Sequence, residues 1–256
     1  MKSYRHQTIQ ECGEPLVAIP EQVFAFANPH PYVALGAPYE GASPWMVRSG
    51  VAAALLRAQA NLDARKPGWK IKLYDAYRPN AVQAFMVWRE FNEQATRAGT
   101  SLAAYGNLAA LAMGNPELYE MLASKVFKFW GIPSDDPETP PPHSTGAALD
   151  CSLQTDTLDE VDMGCPVDEM YDRAHPDYYK TSRNEADQLF HQRRELLHAV
   201  LGQVGFKRHE CEWWHFSLGD QMWSWHGGGP CAIYGRAESE RLSGNTGSDH
   251  RYPLQS

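Results

Sequence analysis

Helical patterns and short strand patterns follow one another along this chain without the strand–helix–strand alternation that builds a parallel sheet. The stretch from Lys70 to Tyr74 alternates polar and apolar residues, as a half-buried strand does. A buried strand is predicted from Ala147 to Leu153, and another strand from Phe206 to about Leu218. Separate helices and short strands of this kind predict an α+β fold.

Helices are predicted where apolar periodicity coincides with start and stop residues. Ser43-Pro44 combines a cap residue with a proline at the first helical position, so a helix is expected to start there. Ser182-Arg183-Asn184-Glu185 has the form of a capping box and opens the last helix. The other predicted boundaries are Pro67-Gly68 at the end of the first helix, Pro79 and Gly99 around the second, two short helices within 101–113 and 116–128, and Gly205 at the end of the last.

The length of the chain, 256 residues, allows one large domain, and residues 1–235 are predicted to form it. Residues 1–40 are rich in proline and aromatic side chains and have little periodicity, so irregular chain and short strands are expected there. Residues 236–256 are polar and nearly free of large apolar side chains. Such a segment cannot offset its own ordering entropy, and a disordered C-terminal tail is predicted.

Charge and composition exclude several classes of function. The net charge is −8 and there is no run of Lys or Arg, which argues against a nucleic-acid surface. The longest apolar stretch near the N-terminus, Leu16 to Ile19, is too short for a secretory signal or a membrane span. The five cysteines have no C-x-x-C pair and are expected to be free thiols, so a cytoplasmic protein is predicted.

Two segments concentrate residues that bind metal ions. A catalytic zinc ion takes three protein ligands from His, Asp, Glu and Cys and leaves one position for water. The first segment runs from Pro142 to Asp150 and contains His143, and Gly146 allows the turn that brings His143 towards Asp150. If Asp150 points into a site, strand alternation turns Leu149 and Cys151 into the core.

The second segment is Glu210-Cys211-Glu212-Trp213-Trp214-His215-Phe216. Glu212 and His215 are three residues apart, and a regular strand would place them on opposite faces. A bulge or a strand end is therefore expected near Trp213-Trp214. Glu210 lies on the same face as Glu212 and is the alternative candidate for a general base. His191, Glu195 and His198 also share one helix face, where a solvated surface is the favoured interpretation.

Three motifs in fixed order resemble the VanX-type D-alanyl-D-alanine dipeptidases, which belong to the zinc D,D-peptidases of peptidase family M15. The first motif is Asp75-Ala76-Tyr77-Arg78-Pro79, the second runs from His143 to Asp150 with Gly146 and Ala148 in place, and the third is Glu212-Trp213-Trp214-His215. Met163-Gly164 with Asp168 is similar to a further family stretch. The resemblance covers roughly residues 30–220.

The resemblance implies a fold, a cofactor and a set of roles. The fold would have a small central antiparallel sheet flanked by helices, as in the hedgehog/D,D-peptidase-like group. One Zn²⁺ per chain would be held by three ligands, Glu212 would act as general base, and Arg78 would lie near the scissile carbonyl. Asp168, with a weaker case for Tyr32, would bind the amino terminus of a small dipeptide substrate. The implied zinc ligands are His143, Asp150 and His215.

Differences from the family pattern leave other functions open. Pro141 stands where the family has Ser, and Val167 replaces a Phe, so the preferred dipeptide is open. A D,D-carboxypeptidase or another cell-wall peptidase would use the same chemistry on longer peptides. A non-catalytic zinc-binding module is a third alternative, although it would not need Glu212 and Arg78. Nothing in the sequence indicates the oligomeric state.

Overall fold

The computed structural model of the protein describes residues 3–237 and places its strands in two sheets. The five-stranded sheet has the order β2-β4-β5-β7-β6, and the two-stranded sheet pairs β1 with β3. The pairing of β2 with β4 is parallel, whereas every other pairing in both sheets is antiparallel. The strands are β1 Leu16–Ala18, β2 Ala25–Phe26, β3 Met46–Arg48, β4 Lys70–Asp75, β5 Ala148–Gln154, β6 Lys207–Arg208 and β7 His215–Ser217.

Seven α-helices accompany these strands among the described residues, so the chain has the expected α+β composition. Short 3₁₀ helices occur at Ser3–His6, Pro142–Thr145 and Asp172–Ala174. Within residues 3–237, none of the helices is both long enough and apolar enough to cross a lipid bilayer. The α-helices are α1 Pro31–Ala34, α2 Ser49–Asp63, α3 Asn80–Arg97, α4 Leu108–Gly114, α5 Pro116–Phe129, α6 Glu185–Gly202 and α7 Gln221–Trp225.

The main core lies between the larger sheet and the two helices α2 and α6. The predicted strand at Lys70 is confirmed as β4, in which Ile71 and Leu73 are fully buried. All but the last residue of β5 are buried, because β5 is the central strand and is covered on both faces. A second apolar cluster, separate from this core, is formed by α3, α4, α5 and the loop between α3 and α4.

The predicted helix start at Ser43-Pro44 is wrong. The Ser43 hydroxyl accepts a hydrogen bond from the Trp45 backbone, as in a helix cap, but the chain then continues as strand β3. Long-range pairing overrides the local signal, since β3 pairs with β1 and the Arg48 amide donates to the Gly146 carbonyl. Helix α2 begins only at Ser49.

The C-terminal third also differs from the prediction. The long strand expected from Phe206 to Leu218 is instead a hairpin in which β6 pairs with β7, and residues 209–214 form its loop. The capping box at Ser182 is wrong as well, because Asn184 caps α6 through its side chain. Helix α6 ends at Gly202, before the predicted Gly205.

The predicted domain, residues 1–235, lies almost wholly within the described residues, whereas most of the predicted tail, residues 236–256, does not. The tail residues 238–256 lie outside the described residues. Its first two residues are described: the Ala237 amide donates to the Ser144 carbonyl, and Arg236 donates to the Ser134 carbonyl. These two residues are therefore hydrogen-bonded to the predicted domain.

Candidate metal centre and active site

The pairing of β5 with β7 brings two predicted metal ligands together. Asp150 and His215 are directly paired in this antiparallel ladder, so their side chains leave the sheet on the same face. Their neighbours Leu149 and Phe216 are also paired and point into the core, as the alternation predicted. The strand end expected near Trp214 is present, because β7 begins at His215.

His143 approaches the same point from the 3₁₀ helix that precedes β5. Gly146 ends this helix with φ of 70°, a left-handed conformation that favours glycine. A Cβ at this position would lie 2.3 Å from the Leu16 side chain, so the turn is also too crowded for a larger residue. Gly146 therefore turns the chain into β5 and brings His143 close to Asp150, which is the approach that the sequence predicted.

The three side chains form a geometry that suits zinc. The distance from His143 Nε2 to Asp150 Oδ2 is 3.2 Å, from His143 Nε2 to His215 Nδ1 3.2 Å, and from His215 Nδ1 to Asp150 Oδ1 3.1 Å. A tetrahedral zinc site with metal–ligand distances of about 2.0–2.1 Å has edges of about 3.3–3.4 Å. The donor set and its spacing therefore fit a zinc ion with one position left for water.

Hydrogen bonds fix which ring nitrogen of each histidine faces the metal position. His143 Nδ1 donates to the Ala76 carbonyl at 2.8 Å, which leaves Nε2 free for a metal. The Ser217 hydroxyl donates to Asp220 at 2.7 Å and can therefore accept from His215 Nε2 at 3.3 Å, which leaves Nδ1 for a metal. Such outer partners orient metal-binding histidines.

The charge states of the three side chains are compatible with metal binding. Burial alone would raise the pKa of Asp150, but His143 and His215 hold it well below its usual range, so this carboxylate is ionised. Burial lowers the pKa of His215 and favours the neutral imidazole that a metal requires. Burial would also lower the pKa of His143, but Asp150 raises it overall, so a metal at this residue competes with a proton.

The two glutamates of the hairpin loop have different environments. Glu212 is 8% exposed, lines the pocket of the three ligands, and has Oε2 3.8 Å from His215 Nδ1. The side chain of Glu210 is 75% exposed, lies beside His226 and lines another surface groove. Of the two glutamates, Glu212 is therefore the one that faces the three potential metal ligands.

Arg78 is buried in the same pocket and is held from several directions. Its Nε donates to Asp75 at 2.9 Å, one terminal nitrogen donates to Gln83 at 2.8 Å, and the other donates to the Tyr32 hydroxyl at 3.1 Å. The guanidinium also lies over the rings of Tyr32 and Trp130, 4.7 and 5.4 Å from their centroids. Arg78 is therefore fixed in one orientation before any substrate binds.

Asp75 reaches this site through an irregularity in the sheet. Leu73 pairs with Cys151 on the core face, but a β-bulge then shifts the register so that Asp75 pairs with Asp150 on the site face. His30 lies 3.0 Å from Asp75, and Arg78 and His30 hold the pKa of this carboxyl low although its burial would raise it. Sequence reasoning did not assign Asp75, because strand alternation alone would have turned it into the core.

Asp168 and Tyr32 also meet at this pocket. The Tyr32 hydroxyl donates to Asp168 at 2.8 Å, and Asp168 has a φ of 64°, in the left-handed region. Burial, reinforced by the charge of Asp150, raises the pKa of Asp168 to about 7. The structure thus brings every predicted site residue except Tyr32 to the lining of one pocket, and Tyr32 lies behind it in contact with Asp168 and Arg78. Trp130 and two residues that the sequence did not single out, Tyr4 and Met222, line the same pocket.

A second group of potential metal ligands among the described residues lies on the surface. Asp177, His191 and Glu195 have ligand atoms within 4.8 Å of one another. Asp177 already pairs with Lys180 at 3.0 Å, and Glu195 with Arg208 at 2.8 Å. These two cations balance the carboxylates, so the group is also explained as an ion-paired surface cluster.

Comparison with known proteins agrees with the geometry of the pocket. The family model described as D-ala-D-ala dipeptidase, Peptidase_M15, matches residues 25–227. A D-alanyl-D-alanine dipeptidase of Synechocystis sp. is 42% identical over 88% of this chain and 90% of its own length. One of Enterococcus faecium is 31% identical over 62% of this chain and 66% of its own.

A solved LD-carboxypeptidase, LdcB, is similar to 83% of this chain over 71% of its own, at 17% identity and a TM-score of 0.39. The sequence matches extend across the three motifs, and the residues of those motifs converge on one buried pocket. The chain is therefore a peptidase and belongs to the D-Ala-D-Ala dipeptidase family, peptidase family M15.

Proposed function

We propose that this protein is a zinc-dependent dipeptidase that hydrolyses D-alanyl-D-alanine, or a closely similar small dipeptide, to free amino acids. The observation that carries the proposal is the set of His143, Asp150 and His215 at tetrahedral spacing, with Glu212 in the same buried pocket. One zinc ion per chain would be held there, in a fold of the hedgehog/D,D-peptidase-like group. The lack of any C-x-x-C pair in the sequence supports a cytoplasmic location as part of this proposal.

Glu212 is the proposed general base. Bound zinc supplies a Lewis acid and lowers the pKa of a water molecule to about 7. Glu212 lies beside His215 and can take a proton from the attacking water and pass it to the leaving amine. A carboxylate that is only 8% exposed keeps this proton within the pocket and away from solvent.

Arg78 is the proposed stabiliser of the negative charge that develops on the scissile carbonyl oxygen. A guanidinium is charged at every physiological pH, so it needs no tuning for this role. Asp75, Gln83 and the ring of Trp130 hold it in position, and a pre-oriented donor costs no reorganisation during the reaction. Removing one such donor typically lowers turnover by about 10²–10³-fold.

Asp168, assisted by Tyr32, is the proposed site for the substrate ammonium group. Asp168 lies in the pocket and accepts a hydrogen bond from the Tyr32 hydroxyl, so its remaining oxygen can face a ligand. A carboxylate that binds a free amine favours dipeptides, because a longer peptide has no amine at that point. Binding of a free amino group at Asp168 would thus distinguish a dipeptidase from a D,D-carboxypeptidase or another cell-wall peptidase.

The experiment is to measure release of D-alanine from D-Ala-D-Ala by purified protein, with L-Ala-L-Ala and N-acetyl-D-Ala-D-Ala alongside. Each substrate is assayed before and after a chelator removes zinc and after zinc is restored. Zinc-dependent cleavage of the free D,D-dipeptide alone is expected. Cleavage of the acetylated substrate would instead indicate a carboxypeptidase, and zinc binding without any cleavage would indicate a non-catalytic module.

A further inference from the structure

The N-terminal 3₁₀ helix contributes a side chain to the catalytic pocket. Tyr4 is 7% exposed and lines the same pocket as His143 and Glu212, together with Met222 of α7. The family model matches only from residue 25 onwards, so Tyr4 comes from a part of the chain that the family match does not include. The pocket of this protein is therefore completed by one residue, Tyr4, from outside the matched region.

Several hydrogen bonds hold the segment around Tyr4 in place. The Gln221 side chain, at the start of α7, donates to the carbonyls of Arg5, Gln7 and Glu138 at 3.2, 2.7 and 2.9 Å. Arg5 donates to the backbone and the hydroxyl of Thr139 at 3.1 and 2.8 Å. The segment is thus tied both to α7 and to the loop that contains Glu138 and Thr139, and Tyr4 has a defined position at the pocket.

Tyr4 lies on the Glu212 side of the pocket. Burial raises the pKa of Tyr4, and the charges of Asp220 and Glu212 raise it further, so the phenol stays neutral beside these carboxylates. Contacts agree with this placement: Gln221 of α7 binds the carbonyls of Arg5 and Gln7 beside Tyr4, and the preceding residue, Asp220, accepts from the Ser217 hydroxyl next to His215. Glu212 lies 3.8 Å from the same His215, whereas Asp168 accepts from Tyr32, whose hydroxyl accepts from Arg78. Tyr4 therefore adjoins the His215 and Glu212 side of the pocket, and Asp168 adjoins the Arg78 side.

The position of Glu212 identifies which end of the substrate would meet Tyr4. In the function proposed above, on which this inference rests, Asp168 binds the amino end and Glu212 protonates the leaving amine. The leaving amino acid must then lie on the Glu212 side, where Tyr4 and Met222 form an apolar wall. We propose that Tyr4 is a specificity-determining residue whose ring limits the size of the leaving amino acid.

The test compares three substrates in one set of variants. D-Ala-D-Leu enlarges the leaving residue, D-Leu-D-Ala enlarges the amino-terminal residue, and D-Ala-D-Ala is the reference for both. In Tyr4→Ala, kcat/KM for D-Ala-D-Leu relative to D-Ala-D-Ala should rise by about tenfold or more, the scale of one or two methylenes in an apolar pocket. The relative value for D-Leu-D-Ala should stay at the wild-type level.

Two further variants separate ring size from other effects. Tyr4→Phe keeps the ring and should keep the wild-type selectivity, and Tyr4→Leu should give an intermediate change if the alanine variant fails to fold. Tyr234→Ala is the matched control, since Tyr234 is an equally buried tyrosine that contacts the N-terminal segment through Glu14 but does not line the pocket. Each ratio is taken within one preparation, so any inactive fraction cancels.

An unchanged ratio for D-Ala-D-Leu in folded, zinc-loaded Tyr4→Ala and Tyr4→Leu would overturn the proposal. A change confined to D-Leu-D-Ala would also overturn it, because Tyr4 would then lie at the amino end. If the wild-type protein cleaves none of the three dipeptides, the proposed function fails separately. The role of Tyr4 is then tested by calorimetry, which measures the affinity of the zinc-loaded proteins for the same dipeptides. The proposal requires that Tyr4→Ala bind D-Ala-D-Leu more tightly than the wild type does.

Discussion

The pocket around His143, Asp150 and His215 and the apolar cluster of α3, α4 and α5, called here the helical cluster, are both buried. The pocket is built from charged side chains, and the helical cluster from apolar ones. The pocket encloses five ionisable groups that are at most 5% exposed, namely Asp75, Arg78, His143, Asp150 and His215. The helical cluster of α3–α5 and the α3–α4 loop is wholly apolar, with Val87, Phe91, Ala95, Leu102, Leu111, Leu122, Ala123 and Val126 at its centre. Apolar burial stabilises a fold by about 25 cal/mol per Å², whereas buried charges carry a desolvation cost.

The two regions therefore differ in what they contribute to the protein. The helical cluster contributes to the free energy of folding. The charges of the pocket contribute little to that free energy, and they are the groups that the proposed reaction requires. The two regions meet at Arg78: Gln83 in the first turn of α3 accepts its hydrogen bond, and Trp130, just after α5, covers its guanidinium. The helical cluster thus fixes the two helix ends that orient Arg78.

The largest expected effect comes from Glu212→Gln. Loss of the general base should lower kcat by about 10²–10⁴-fold, the usual contribution of a positioned acid–base group. Zinc content should remain one per chain, because the three ligands are unchanged. The melting temperature should shift by less than about 4 °C, corresponding to roughly 1 kcal/mol, because no apolar packing is lost. Steady-state kinetics, metal analysis and calorimetry measure the three quantities.

The matched control for this variant is Glu210→Gln, two residues away in the same hairpin loop. Glu210 is exposed and lies outside the pocket, so its substitution should leave kcat within about twofold, which corresponds to less than about 0.5 kcal/mol. Equal losses in the two variants would contradict the assignment of Glu212. They would also contradict the view that the loop divides into a catalytic and a solvent-exposed side.

Phe91→Ala tests how much the helical cluster contributes to stability. Phe91 is fully buried and packs against the rings of Tyr119 and Phe127. Removing a buried Phe side chain typically costs about 3–5 kcal/mol in the free energy of unfolding, measured by denaturant titration. KM and kcat at low temperature should change less than about threefold, since Gln83, the α3 residue that binds Arg78, lies about two turns earlier in the helix. Met113→Ala is the control, at 86% exposure, with an expected change within about 0.5 kcal/mol.

The sequence predicted those parts of the structure that depend on local pattern. The alternation at Lys70 predicted β4, and Gly146 with the residues after it predicted the approach of His143 to Asp150. The resemblance supplied the roles of these residues, and the structure brings them together. Local pattern failed where long-range pairing decides: Met46–Arg48 is a strand because it pairs with Leu16–Ala18.

Residues that complete the site from distant parts of the chain could not be predicted from the sequence. Asp75 reaches the site only because a β-bulge shifts its register against β5. Tyr4 is more than 200 residues before Glu212, and no periodicity links the two. Trp130 follows a helix whose apolar stripe marks it as core, yet its ring covers Arg78. Each of these contacts arises from tertiary packing and leaves no signal in local spacing.

The smallest expected effect concerns the charge of Asp168, which distinguishes the pocket from an apolar core most directly. Burial and the charge of Asp150 raise the pKa of Asp168 to about 7, while Arg78 and the Tyr32 hydroxyl oppose the shift. A raised carboxyl pKa means that Asp168 is neutral below this value and ionised above it. Because only the ionised form attracts the substrate ammonium, KM for D-Ala-D-Ala should fall as pH rises towards neutrality.

Zinc bound at Asp150 would compensate the charge that raises the pKa of Asp168, so this limb of the KM profile should lie at or below about pH 7 in the zinc-loaded enzyme. Asp168→Asn should remove the limb and raise KM by about tenfold, the lower range for a charge-assisted hydrogen bond. The variant should keep its zinc and its melting temperature. Superimposable KM profiles for wild type and Asp168→Asn would show that the ammonium is bound elsewhere, and that the burial of Asp168 serves the fold, as the burial of Phe91 does.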